Sequence, residues 1–82
     1  VVAFWERVAA CETGKRWTAT GPTYVGGLGI YRPNWPRWAR QLGIYTEASA
    51  TSRLDQIRVA DWAYRHERAW WGCFAVTGRP PS

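Results

Sequence analysis

The 82-residue sequence contains no apolar run approaching ~18 residues, which excludes a membrane-spanning helix. It opens on Val1-Val2, with neither an initiator methionine nor a signal-peptide pattern, and so reads as a domain excised from a longer chain. Histidine occurs once, at His66, and cysteine twice, at Cys11 and Cys73. These three residues have no recognised ligand spacing, so neither a metal site nor a cofactor is expected. No serine or cysteine nucleophile motif accompanies His66, which argues against a Ser/His or Cys/His hydrolase and leaves His66 as a surface charge near a helix end. The glycines Gly26, Gly27 and Gly29 are followed by no Gly-Lys-Ser/Thr and no strand-to-helix step, which removes a phosphate-binding loop. No internal repeat is present. Acidic residues are scarce, numbering six, and only one lysine occurs.

The sequence is rich instead in tryptophan, with seven, and its apolar content of 46% excludes disorder. An aromatic side chain buries about 150–250 Å², so a short chain gains a core from few residues. Not all seven rings fit inside one small domain. Trp5, Trp35 and Trp62 fall on helical positions and suit the core, whereas Trp17, Trp70 and Trp71 fall in loops and suit a groove. The formal charge is +5, carried by ten arginines and one lysine. Such a surface attracts polyanions, among which nucleic acid and an anionic cell wall are both candidates. Cys11 and Cys73 lie near opposite ends of the chain. Bonded, they would close most of it into one loop and stabilise it by about 4 kcal/mol. The alternative is two buried free thiols, and a small domain in need of a staple in an oxidising compartment favours the bond.

Along the chain, Phe4 to Glu12 forms a helical pattern, with Phe4, Val8 and Cys11 at i, i+4 and i+7. Gly14 suits the position past its end. Glu12 then sits at the helix C-terminus, where the macrodipole disfavours a negative charge. Trp17 to Tyr31 is a loop or short hairpin, since it holds too few apolar positions for a helix. Its consecutive glycines leave room for close approach to the backbone. A second helix is predicted from Asn34 as N-cap, through Trp35, Pro36, Trp38 and Leu42, to a stop at Gly43. A third starts near Thr51 or Ser52, with Asp55 completing a capping box and Leu54, Ile57, Ala60 or Asp61, and Tyr64 tracing its buried face. Trp70-Trp71-Gly72-Cys73-Phe74 follows, and Gly78 to Ser82 reads as a frayed tail.

The six acidic residues are Glu6, Glu12, Glu47, Asp55, Asp61 and Glu67. Glu6 and Glu12 lie about 240° apart around their helix, at about 100° per residue, so they cannot form a close carboxylate pair. Five of the six read as solvated surface charges. Glu12, next to Cys11 and at a helix end facing a glycine-rich loop, is the candidate functional carboxyl.

At this point the residues resemble a known family. Trp5-Glu6-Arg7-Val8-Ala9-Ala10-Cys11-Glu12-Thr13-Gly14-Lys15-Arg16-Trp17 is similar to the opening of the resuscitation-promoting factor catalytic domain, Trp-Asp-x-aliphatic-Ala-x-Cys-Glu-x-Gly-Gly-Asn-Trp. Tyr24-Val25-Gly26-Gly27-Leu28 matches its Tyr-x-Gly-Gly-aliphatic segment, with Trp35 in place seven positions on. Ser52 to Asp61 resembles its Thr-Arg-x-x-Gln-Ile-x-Val-Ala-Glu helix, and Ala69-Trp70-Trp71-Gly72-Cys73 its closing Ala-Trp-x-x-Cys. The blocks occur in the family's order over nearly the whole chain. Where the family has Gln (a glycan contact) and then Phe, Gly29 and Ile30 stand here; Tyr31 replaces an acidic or polar residue and Asn34 a threonine. The loop before Tyr24 is one residue shorter and carries Pro22.

The resemblance implies a compact lysozyme-like fold of α+β class, mostly α, with a short glycine-rich β insertion and a Cys11–Cys73 disulfide. It implies a transglycosylase-like domain over residues 1–76, followed by a disordered tail over 77–82. The implied activity is cleavage of the β-1,4 bond between N-acetylmuramic acid and N-acetylglucosamine, by a lysozyme-type hydrolase or a lytic transglycosylase, with Glu12 as the catalytic acid. Trp17, Tyr24, Gly27, Gly29, Tyr31, Asn34, Trp70 and Trp71 are expected to bind substrate. The expected partner is the peptidoglycan glycan strand, met by a monomer that is secreted or wall-bound in actinobacteria, or that forms part of a phage lysis or tail protein. Nucleic acid is not expected. The rival readings are a non-catalytic wall-binding module, suggested by the missing Gln, and a nucleic-acid-binding domain, suggested by the charge.

Overall fold

A computed structural model describes residues 1–81. Helix α1 spans Val2–Thr13, and its buried side chains Phe4, Trp5, Val8 and Ala9 form one stripe of a 3.6-residue period. Gly14 ends the helix in the left-handed conformation, φ 69°, as its position in the sequence predicts. Cys11, expected on the Phe4–Val8 face, is exposed at the margin of that stripe, where it bonds Cys73 across a separation of 62 residues.

Strands β1 (Tyr24–Val25) and β2 (Ile30–Tyr31) pair antiparallel, with Tyr24 opposite Tyr31 and Val25 opposite Ile30. The period of two sends Val25 and Ile30 into the core and leaves both tyrosines exposed. Helix α2 covers Asn34–Ala39 and tightens into a 3₁₀ turn, Arg40–Leu42, closed by Gly43 at φ 73°. Asn34 is the first helical residue, not the cap predicted for it. Pro33, with its ring-locked φ of −65°, takes the cap position, and Asn34 Oδ1 instead accepts a 3.1 Å bond from Arg37 Nη2.

A 3₁₀ turn at Ala48–Ala50 leads into α3, Arg53–Glu67, where Ser52 Oγ accepts the Asp55 N–H at 3.2 Å, as the capping pattern predicts. The buried face of α3 differs from expectation. Gln56, Ile57, Val59, Ala60 and Ala63 are inside, while Leu54 is 49% exposed and Tyr64 only half-buried. The stripe is rotated because Gln56 is drawn inward by the backbone groups of the adjoining loops. Helix α4 is the single turn Phe74–Thr77, so Thr77, assigned by sequence to the tail, is helical. Beyond it Pro80 is buried, and the Pro81 carbonyl accepts a 2.8 Å bond from Arg65 Nη2. Ser82, the last residue of the expected tail, lies outside the described residues.

The arrangement is α+β and mostly α, around one core. Trp5 packs edge-on against Phe4 and Trp71, with ring centroids 5.4 and 5.0 Å apart. Trp35 is buried with them, whereas Trp62 is only half-buried and stacks on exposed His66 at 5.0 Å. Four of the five acidic residues expected to be solvated charges are engaged, and Glu47 alone is exposed without an ion pair among the described residues. Glu6 pairs with Arg53, Asp55 with Arg58 and Glu67 with Arg37, while Asp61 holds both Arg65 and the Trp5 indole N–H. Among the described residues no helix is long and apolar enough to cross a membrane.

Candidate active site

Glu12 follows Val8 at i+4 on α1 and therefore stays on the helix's buried face. It falls one turn beyond the last core residues, where the apolar interior gives way to a cavity of ≈ 670 Å³. The side chain is half-buried, and its Oε2 accepts the Cys73 backbone N–H at 3.0 Å. The disulfide and this bond act together: Cys11 tethers residue 73, and residue 73 orients the neighbouring carboxyl. Among the described residues, Oε1 has no protein hydrogen-bond partner. Glu12 is the only carboxylate among the residues lining the cavity.

One wall comes from the chain after α3. Arg68, at φ 56°, turns the backbone out of the helix, and Ala69 to Gly72 then run past Glu12. Trp70 is 64% exposed and rests edge-on against Phe74. Trp71 is buried beneath it and donates its indole N–H to the Leu28 carbonyl at 2.9 Å, joining this wall to the glycine turn. The facing wall is the small sheet, with Tyr24 and Tyr31 side by side at 6.3 Å, continued by Gly29 and Ile30. Asn34 and Trp38, one turn apart on α2, complete the enclosure.

Polar bonds, the innermost of them buried, hold these walls in register. Thr13, itself at the cavity, donates from Oγ1 to the Gly27 carbonyl at 2.6 Å and accepts the Arg16 N–H at 3.0 Å. Gln56 Oε1 accepts the Gly27 N–H at 2.9 Å. Its Nε2 lies 2.8–2.9 Å from the carbonyls of Trp17, Ala48 and Thr51. The turn between the strands is thus fixed from both sides, by α1 and by α3.

A family model described as the transglycosylase-like domain matches residues 1–73, which takes in every element that builds this cavity. The chain belongs to the transglycosylase-like domain family. Over 79 residues it is 39% identical to resuscitation-promoting factor RpfC of Mycobacterium tuberculosis (strain Erdman), covering 93% of this chain and 54% of that protein. The chain therefore spans about half the length of the curated relative it matches.

In this transglycosylase-like domain, the fold gathers most of the residues singled out from sequence. Glu12, Tyr24, Gly29, Tyr31, Asn34, Trp70 and Trp71 all line the cavity. Trp17 and Gly27 do not. The Trp17 ring lies against Gly27, so close that a Cβ there would sit 2.4 Å from its Cε3, and neither residue is part of the cavity's lining. A loop tryptophan has been used as a lid over a glycine, not as a groove wall. The cavity also holds Thr13, Ile30, Trp38, Ala69 and Gly72, which sequence reasoning passed over. Thr13 and Trp38 carried a usable signal, since one adjoins Glu12 and the other follows Asn34 by one helical turn.

Proposed function

We propose that this domain is a muralytic enzyme, located at the cell wall or secreted, that cuts the β-1,4 bond between N-acetylmuramic acid and N-acetylglucosamine. Glu12 serves as its acid. The observation that carries this is the lone Glu12 carboxyl in an aromatic-walled cavity whose ≈ 670 Å³ falls in the usual range of small-molecule sites, about 300–1,000 Å³. The family's description, transglycosylase-like, and the likeness to a resuscitation-promoting factor support the same chemistry.

In the proposed reaction Tyr24, Tyr31 and Trp70, the exposed rings of the two walls, stack against sugar faces. Cys73 N–H holds Glu12 Oε2, and Oε1 delivers a proton to the glycosidic oxygen as the C1–O bond breaks. The leaving N-acetylglucosamine departs with that proton as its 4-hydroxyl. Glu12, now ionised, takes a proton from the muramyl C6 hydroxyl as that oxygen attacks C1, which closes a 1,6-anhydro ring and restores the acid. Attack by water at the same step would give a reducing end. No second carboxylate is needed for the intramolecular route, in keeping with a cavity that offers only one.

Digestion of purified sacculi followed by mass spectrometry tests the proposal. Wild-type protein is expected to release muropeptides, with anhydro ends if the intramolecular route operates. Glu12→Gln is expected to lose at least about a hundredfold in rate, the usual scale of general acid–base catalysis, with an unchanged melting temperature. Release that is absent in wild type, or undiminished in Glu12→Gln, overturns the proposal. Retention on sacculi without any product identifies a wall-binding module instead.

A further inference from the structure

Four tryptophans are buried: Trp5, Trp35, Trp38 and Trp71. An indole nitrogen carries one hydrogen and can only donate it. Three of the four reach an acceptor, Trp5 at Asp61 Oδ1 (3.1 Å), Trp35 at the Thr46 carbonyl (2.9 Å) and Trp71 at the Leu28 carbonyl (2.9 Å). Trp38 does not. It is 7% exposed, and its Nε1 is closed to solvent with no acceptor among the described residues. A donor in that state has lost its bond to water and gained none in the protein, which folded chains rarely tolerate without cause. Packing and the Arg37 guanidinium 5.7 Å over the ring account for an aromatic side chain, but a phenyl ring would serve both without a stranded N–H. The position of the ring supplies one: Trp38 is part of the wall of the Glu12 cavity.

We infer that Trp38 is a ligand-contacting specificity residue whose Nε1–H donates to the acetamido carbonyl of a bound amino sugar. The inference rests on the proposed function, which places an N-acetylated glycan in this cavity. Both sugars of that glycan carry an acetamido group, and an amide oxygen is a stronger acceptor than a hydroxyl. The nitrogen is closed to solvent when the cavity is empty, so the wall yields slightly as the ligand enters. The stranded donor then gains an acceptor only in the complex, and binding energy is drawn from a group that stabilises nothing beforehand.

The experiment uses Glu12→Gln protein, in which turnover is suppressed, titrated with N-acetylglucosamine oligomers and with their de-N-acetylated counterparts. Adding Trp38→Phe is expected to weaken the acetylated ligand by about tenfold, near the upper end for one neutral hydrogen bond, and to leave the de-acetylated one unchanged. Comparing the two proteins cancels the repulsion between amino groups and the basic surface. The melting temperature should change little, because removal of the orphaned donor offsets the lost bulk and the weaker Arg37 contact. As a readout with Trp38 intact, its assigned indole N–H resonance should move downfield on adding the acetylated oligomer. Equal weakening of both ligands assigns the bond to a hydroxyl and overturns the acetamido inference. Undiminished binding with a stationary Trp38 resonance overturns any contact and leaves the proposed function standing. Failure of both ligands to bind, together with no muropeptide release by wild type, removes the reading beneath it as well.

Discussion

Gln56 is 1% exposed, yet its one amide group serves four backbone partners on three segments of chain. The NH₂ has two hydrogens and three carbonyls within 2.9 Å, so its donation is shared among them. Replacement by leucine keeps the bulk and strands the Gly27 N–H together with the Trp17 and Thr51 carbonyls, while the Ala48 carbonyl keeps the Thr51 N–H. Each unsatisfied group costs about 1–3 kcal/mol, so Gln56→Leu should lose about 3 kcal/mol or more. Urea unfolding measures it, and a loss below about 1 kcal/mol would show that the loops rearrange to satisfy themselves. Asp61 is a second residue whose task is structural, taking the Trp5 indole at 3.1 Å and Arg65 at 2.9 Å. Glu12 differs from both, because it lines the cavity with one oxygen held and the other without a protein partner among the described residues.

Among the elements, the turn from Gly26 to Gly29 is held by α1 and α3 and brings Gly29 to the cavity. Gly26 adopts φ 76°, and a Cβ on it would lie 2.5 Å from Gln56 Oε1. Gly27 has an ordinary φ and is required for a different reason, the Trp17 ring against it. Gly27→Ala should therefore cost about 1–3 kcal/mol by overpacking. In a Trp17→Ala background much of that cost should vanish, giving a coupling of about 1 kcal/mol or more in a double-mutant cycle read by thermal unfolding. Strict additivity would mean that the alanine is harmful through the backbone instead. Gly29, where the resembling family has Gln, has φ 59° and only Thr13 Cγ2 near its open side, at 3.8 Å. The space for a side chain exists, and the left-handed backbone is what disfavours one.

On the scale of the whole molecule, one covalent link joins the first helix to the segment carrying Trp70, Trp71 and the start of α4. Loop closure over most of the chain is worth about 4 kcal/mol in the chain-entropy account. For a domain of this size that corresponds to roughly 15–30 °C in melting temperature, and reduction by dithiothreitol should lower the midpoint by that order. Because the Cys73 N–H also holds Glu12, muropeptide release should fall on reduction even at temperatures where the fold survives, as followed by circular dichroism. Activity unaffected by reduction in a folded protein would detach the disulfide from the site. The charge is also distributed by the fold. Four arginines are consumed in ion pairs, and Arg7, Lys15, Arg16, Arg32, Arg40, Arg68 and Arg79 stand outside any ion pair among the described residues. That excess gives the surface a net positive field whose reach shortens as salt screens it.

Local rules were enough to read much of this from the amino acids. Gly14 and Gly43 stop their helices and Ser52 caps α3, because a left-handed φ or a free side-chain oxygen is needed at those points whatever lies elsewhere. Glu12 stood out in the sequence as a carboxyl at a helix end, beside a cysteine and facing a glycine-rich stretch, and the fold places it at the cavity. What the sequence could not reveal is which neighbours distant segments would bring. Trp17 and Trp70 are alike in sequence, both loop tryptophans, yet one is pressed onto Gly27 and the other stands at the cavity mouth. The buried face of α3 turned on Gln56, whose partners lie 5 to 39 positions away. Composition and periodicity settle propensity and caps, since those depend on a few adjacent residues. The lid, the amide hub and the unpartnered Trp38 donor depend on contacts between segments remote in sequence, and only the packed chain decides those.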